Sequence, residues 1–209
     1  GLGAGANYLD GADDNSTYGS ADGTDGVRVS TDWGYAGVLS VGYGFGNGLR
    51  VELEGSYRQN DASRFGAQGD VFGVPYSFNY DRVSGQVRSY GVMVNAFYDI
   101  PVGPVLPYVG VGAGYIWQNY NNVRGYDGGS QTFDVLDDTS GAFAFQAIVG
   151  VALPIQSVPG LSLTAEYRFM GTAGQEISGR FVEDGVTEFN HKFDADNFNH
   201  SLLIGVRYN

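Results

Sequence analysis

The sequence predicts an all-β fold, a closed antiparallel barrel of eight up-and-down strands with its apolar face turned outward. Three observations predict it. First, the stretch from Leu49 to Arg58 alternates without exception. Leu49, Val51, Leu53, Gly55 and Tyr57 are apolar or small, while Arg50, Glu52, Glu54, Ser56 and Arg58 are charged or polar, a period of two that gives a strand two unlike faces. Second, the pattern returns in Leu161-Ser162-Leu163-Thr164-Ala165-Glu166-Tyr167-Arg168-Phe169. Third, the connections between such segments alternate between short and long. A soluble ligand-binding barrel would need Leu49, Val51 and Leu53 inside and would leave Glu52 and Glu54 in water. Repeated charged faces instead fit a barrel that is greasy toward lipid and polar within.

Eight segments follow in order, at about 1–8, 35–45, 49–58, 87–99, 107–118, 142–153, 161–170 and 198–208. Most have the ~9–11 residues that a tilted membrane strand needs. Short connections carry turn chemistry: Gly46-Asn47-Gly48, Pro101-Val102-Gly103-Pro104, and Pro154 to Gly160. The long ones, roughly 9–34, 59–86, 119–141 and 171–197, are rich in Gly, Asp, Asn and Ser. Short turns on one rim and four long loops on the other predict periplasmic turns and extracellular loops, with both chain ends on the turn side.

Composition agrees. Only 16% of residues are charged, 14% are aromatic, and 34 are glycine, and no apolar run approaches the ~18 residues of a membrane helix. Cysteine is absent, which removes disulfides, thiolate nucleophiles and cysteine-ligated zinc. The net charge of −12 is unevenly placed. The four long connections hold 19 of the 23 acidic residues and six of the 11 basic ones, a net of −13, and leave the strands and turns at +1. Acidic loops disfavour nucleic acid by repulsion. The 209 residues read as one barrel domain. No export signal is visible and Gly1 already reads as mid-strand, so a processed form is expected.

The alternation assigns faces. Toward lipid it places Leu39, Val41, Val92, Val94, Ala96, Val109, Val111, Ala113, Phe145, Val149, Leu202, Ile204 and Val206. Toward the lumen it places Ser40, Gly42, Asn95, Asp99, Gly110, Gly112, Gly114, Gln146, Gly150, Ser201 and Arg207. Aromatic girdles are expected from Tyr57, Tyr90, Tyr115 and Trp117 at the loop end and from Tyr43, Phe45, Tyr98 and Tyr208 at the turn end. The candidate site is the lumen, where Arg50, Glu52, Glu54, Arg58, Asp99, Glu166, Arg168 and Arg207 would share a narrow space. Eight strands leave room for side chains and little more. The charges should therefore pair and plug the barrel, either as a static plug or as a gate whose pairs can exchange.

Five stretches carry a resemblance: Gly-Leu-Gly-Ala-Gly-Ala-Asn-Tyr at 1–8, Ser-Tyr-Gly-Val-Met-Val-Asn-Ala-Phe-Tyr-Asp at 89–99, Pro-Tyr-Val-Gly-Val-Gly-Ala-Gly-Tyr at 107–115, Leu-Thr-Ala-Glu-Tyr-Arg-Phe at 163–169 and His-Ser-Leu-Leu-Ile-Gly-Val-Arg-Tyr-Asn at 200–209. Together they resemble the eight-stranded OmpA-type transmembrane domain and the small surface-antigen barrels of the Gram-negative outer membrane. The resemblance implies an outer-membrane protein with roles in envelope integrity and surface interaction and, in some members, porin-like passage of small solutes. It implies contact with outer-membrane lipid and lipopolysaccharide, and with extracellular or envelope proteins through the loops. Peptidoglycan enters only if a periplasmic domain follows Asn209, as the non-aromatic last residue allows.

Other chemistry is weaker. No cofactor or metal site is expected, and no catalytic residue. His200-Ser201 with Asp194 or Asp196, and His191 nearby, holds the residue types of a nucleophile and base, as in barrels that modify lipid. Adjacent strand residues diverge, however, and a nucleophile must sit about 2.6–3.2 Å from its base. The acidic groups Asp10, Asp13 and Asp14, then Asp134, Asp137 and Asp138, and Asp194 with Asp196, lack the spacing of a calcium loop. They read as solvated charge that can meet divalent ions bridging lipopolysaccharide phosphates. Gly42-Tyr43-Gly44-Phe45-Gly46 precedes no helix and is not a phosphate loop.

Overall fold

A computed structural model describes the backbone of all residues except 11–12, 15–25, 32, 72–73, 80–81, 128–130, 174–175, 184–185 and 195–197. It describes the side chains of 1–9, 33–60, 86–119, 139, 141–173 and 198–209. Eight strands form the wall: β1 (Leu2–Asp10), β2 (Gly34–Gly44), β3 (Leu49–Val71), β4 (Arg82–Asp99), β5 (Leu106–Asp127), β6 (Gln131–Pro154), β7 (Leu161–Ala173) and β8 (Phe198–Tyr208). Each is antiparallel to its sequence neighbours, and β1 closes the ring by pairing with both β2 and β8. Leu2 stands opposite Leu39 on one side and Val206 on the other. Closure matters because an open edge in hydrocarbon would leave backbone groups unsatisfied, at several kcal/mol each.

The turn side follows from local sequence. Gly46 and Gly48 adopt φ of 76° and 90°, a region L side chains rarely enter. The Asn47 carboxamide accepts the Leu49 amide at 3.1 Å, and the Phe45 amide donates to the Leu49 carbonyl at 2.8 Å. Gly103 supplies the positive φ of the second turn, closed by Ile100 N donating to Pro107 O at 2.7 Å.

Strand ends on the loop side depart from expectation. The alternation stops near residues 58 and 118, yet β3 runs to Val71 and β5 to Asp127. Residues Gly26–Thr31 and Val74–Asn79 pair with the upper part of β3, and Glu176–Glu183 forms a separate hairpin with Val186–Asp194. The long connections thus carry strand structure of their own. Strand β3 has 23 residues. A strand of that size reaches roughly 75 Å, at about 3.3 Å of rise per residue. The apolar band of such a barrel is only about 25 Å tall. The upper half of β3 therefore extends beyond such a band, where no alternation is required.

The faces are as the alternation places them. Leu39, Val94 and Ile204 are 66%, 55% and 74% exposed, and Val51, Leu53 and Leu163 also face outward. Arg50, Glu54, Arg58, Asn95, Gln146, Arg168, Ser201 and Arg207 are buried within. Gly42, expected inside, lies at the open turn-side mouth and lines its vestibule. The lumen is less polar than expected. Met93, Ile116, Ala144 and Met170 form one inward apolar cluster, and Phe97, Tyr108, Ile148 and Ala152 another. Small luminal residues on β5 leave room for large neighbours, apolar and polar: a Cβ on Gly110 would enter the Phe97 ring, and one on Gly112 would strike the Asn95 carboxamide.

Candidate functional site: the charged lumen

Alternation on β3 sends Arg50, Glu52, Glu54 and Arg58 inward, and the same parity on β4, β7 and β8 adds Asp99, Glu166, Arg168 and Arg207. At the turn-side mouth, Asp99 Oδ1 accepts from Arg50 Nε at 3.2 Å and from Arg207 Nη1 at 3.1 Å. Arg50 also pairs with Glu52 through Nη1. Its guanidinium lies 3.8 Å from the Phe97 ring centroid and 5.0 Å from that of Tyr108, so ring faces share the task of holding the cation.

Deeper in, Glu54 is fully enclosed. Its Oε2 accepts from Arg168 Nη1 at 2.6 Å and Asn95 Nδ2 at 2.8 Å, and its Oε1 from Gln146 Nε2 at 3.4 Å. Arg168 turns its other edge to Glu166 Oε2, with Nη2 at 2.6 Å and Nε at 2.7 Å. A carboxylate in so dry a place is tolerable only with such donors. The Tyr108 hydroxyl donates to Glu166 Oε1 at 2.7 Å, and its ring lies beneath Arg50 and Arg207. Tyr108 therefore links the two clusters.

Seven of the eight charged positions meet in this arrangement, and Arg58 does not. Its Nη1 donates to Ser56 Oγ at 3.0 Å, and Nε and Nη2 have no partner among the described residues. Four residues along β3 put it ~13 Å beyond Glu54, whose oxygens are already engaged. Above it lies an amide cluster. Asn7 Nδ2 donates to Asn60 Oδ1 at 2.7 Å and to Asn199 Oδ1 at 3.1 Å, and Ser201 Oγ donates to Asn7 Oδ1 at 2.6 Å. Neither Tyr108 nor these asparagines were singled out from sequence. Extending each strand's parity by one inward step finds Tyr108, Asn60 and Asn199.

Two spaces flank the pairs. A void of about 20 Å³ lies among Ser40, Arg50, Thr164, Glu166 and Arg168, room for a single water. A vestibule of about 550 Å³ at the turn-side mouth is lined by Arg50, Glu52, Asp99, Arg207, Tyr43 and Tyr208.

His200 and Ser201 diverge. Ser201 points inward to Asn7, whereas His200 Nδ1 meets the Tyr167 hydroxyl at 2.7 Å on the outer wall. The side chains of Asp10, Asp13, Asp14, Asp134, Asp137, Asp138, His191, Asp194 and Asp196 lie outside the described residues. Of the girdle residues, Tyr57 and Tyr90 approach to 5.2 Å between centroids and Tyr115 and Trp117 to 5.1 Å at the loop end. Tyr43 and Phe45 contact at 5.2 Å at the turn end, where Tyr98 and Tyr208 are also exposed.

A ring of eight strands, apolar outside, ion-paired inside and banded by aromatics at both ends, defines an integral β-barrel of the bacterial outer membrane. The chain belongs to the outer membrane protein beta-barrel domain family, whose match covers residues 1–209. It is 40% identical over 189 residues to an "Outer membrane protein" of Gluconacetobacter diazotrophicus, covering 85% of this chain and 47% of the relative. The chain thus spans about half the length of that curated relative. In fold it is similar to Neisserial surface protein A, with a TM-score of 0.53 and 17% identity over 100% of this chain and 96% of the other. The outer membrane protein OprG from Pseudomonas aeruginosa gives 0.52 and 13% over 99% and 94%.

Proposed function

We propose that the chain is a non-catalytic scaffold of the outer membrane, supporting envelope integrity and presenting acidic loops to partners outside, with its lumen closed by ion pairs. The observation that carries this reading is Glu54, enclosed and held by Arg168, Asn95 and Gln146 from three other strands. Removing one partner of a buried pair costs about 3–5 kcal/mol, because the charge left behind has no compensation in so dry a place. Loop charge favours basic partners, or anionic ones met through divalent ions, over nucleic acid. The surface location named for the Neisserial protein suits the same role. Lipid modification has little support, because His200 and Ser201 face opposite ways.

A second reading, a small porin for ions or small solutes, draws on the open vestibule that leads to these pairs. Single-channel recording in planar bilayers separates the two. The scaffold reading expects rare, small events that become more frequent in Glu54→Gln. A steady open conductance in the wild type would overturn it.

A further inference from the structure

We propose that Arg88, on the outer wall, holds a phosphate of an outer-leaflet lipid. Among residues whose side chains are described, all four carboxylates (Glu52, Glu54, Asp99, Glu166) and four of the five arginines face the lumen. Arg88 is the exception. It shares the outward parity of Tyr90, Val92 and Val94 on β4, so its half-buried side chain lies on the outer wall with no described carboxylate beside it.

Its depth is that of lipid headgroups. Tyr90 lies opposite Tyr57 and Trp117 in the loop-end girdle, at the level where aromatic rings meet the headgroups. Arg88 is the next outward residue above it, ~7 Å along the strand. Arg88 faces Gln59 on β3 across the register. Its Nη2 donates to Gln86 Oε1 at 2.8 Å and its Nε is buried without a partner, so the fork is fixed with Nη1 making no hydrogen bond among the described residues. The Tyr35 and Tyr57 hydroxyls both donate to Gln59 Oε1 at 2.8 Å, so the Gln59 carboxamide is held with its NH₂ as the end left to donate. A guanidinium beside a fixed amide donor is matched to phosphate oxygens. Below them Val92 and Val94 continue the wall that acyl chains would follow. Acidic loops repel a free anion, whereas a lipid delivers its phosphate from within the leaflet. Arg88 would hold a lipid phosphate whether or not the lumen conducts.

The test compares refolded wild type with Arg88→Gln and Gln59→Leu, folding of each being checked by heat-modifiability on a gel. Native mass spectrometry counts lipid retained after extraction from vesicles carrying bisphosphorylated lipid A or its dephosphorylated form with the same acyl chains. The wild type should retain the phosphorylated lipid at about tenfold lower lipid-to-protein ratio, the factor one charge-assisted hydrogen bond carries. Arg88→Gln should erase that preference and Gln59→Leu should reduce it, while millimolar inorganic phosphate should displace nothing. A preference that survives Arg88→Gln intact would overturn the proposal. Displacement of the lipid by inorganic phosphate would do so equally, by assigning the site to a free anion.

Discussion

Around Glu54 three donors arrive from three strands, β4, β6 and β7, so one carboxylate ties together residues as far apart in sequence as Arg168. Arg58 presents the opposite case, a buried guanidinium with two nitrogens lacking acceptors among the described residues. These two charges should answer mutation with opposite signs. Glu54→Ala strands Asn95 and one edge of Arg168, and should cost about 3 kcal/mol, since Glu166 still holds the other edge. Arg58→Met removes an unsatisfied cation and keeps the volume, and should be neutral or stabilising by about 1–3 kcal/mol. Urea titration of the folded barrel in lipid vesicles measures both. Equal losses for the two variants would show that the pairing pattern does not govern lumen stability.

Single strands show how much of this was legible in the sequence. On β3 the contrast between Leu53 and Glu54 is complete, and both faces could be assigned from the alternation alone. On β4 the run Val92-Met93-Val94 offers no such contrast, because Met93 belongs to an inward apolar cluster. Ile116, Ile148 and Met170 were hidden in the same way: an eight-stranded lumen is partly packed with apolar side chains, while the alternation signal reports only polarity. Beyond Arg58 the signal fades for a different reason. Past Asn60, the run Asp61-Ala62-Ser63-Arg64 carries polar residues at both parities, as expected where β3 outruns the apolar band. Turns were easier to read, since Gly46, Gly48 and Gly103 mark the positive φ angles directly. Within the spanning part of β4, Val94→Arg should cost about 2–4 kcal/mol, the range for a cation facing lipid near the midplane. The same urea titration measures it, and an unchanged midpoint would place Val94 away from lipid.

For the whole molecule the organising fact is a separation of charge by compartment. Loops carry the excess acid, the lumen carries paired ions, and the outer wall carries apolar side chains with Arg88 as its one described arginine. That separation was readable once charge was located along the chain, because acidic residues outside the long connections amount only to Glu52, Glu54, Asp99 and Glu166. Which pairs form was not readable, since it depends on strand stagger and on the reach of each side chain. All of this depends on the direction in which the sheet is turned. The chain has no cysteine, so single cysteines placed along β4 at 92 to 97 can each carry one fluorophore. Quenching by spin-labelled acyl chains should then alternate, strong at 92, 94 and 96 and weak at 93, 95 and 97. The opposite phase, or uniform quenching along the strand, would contradict the account.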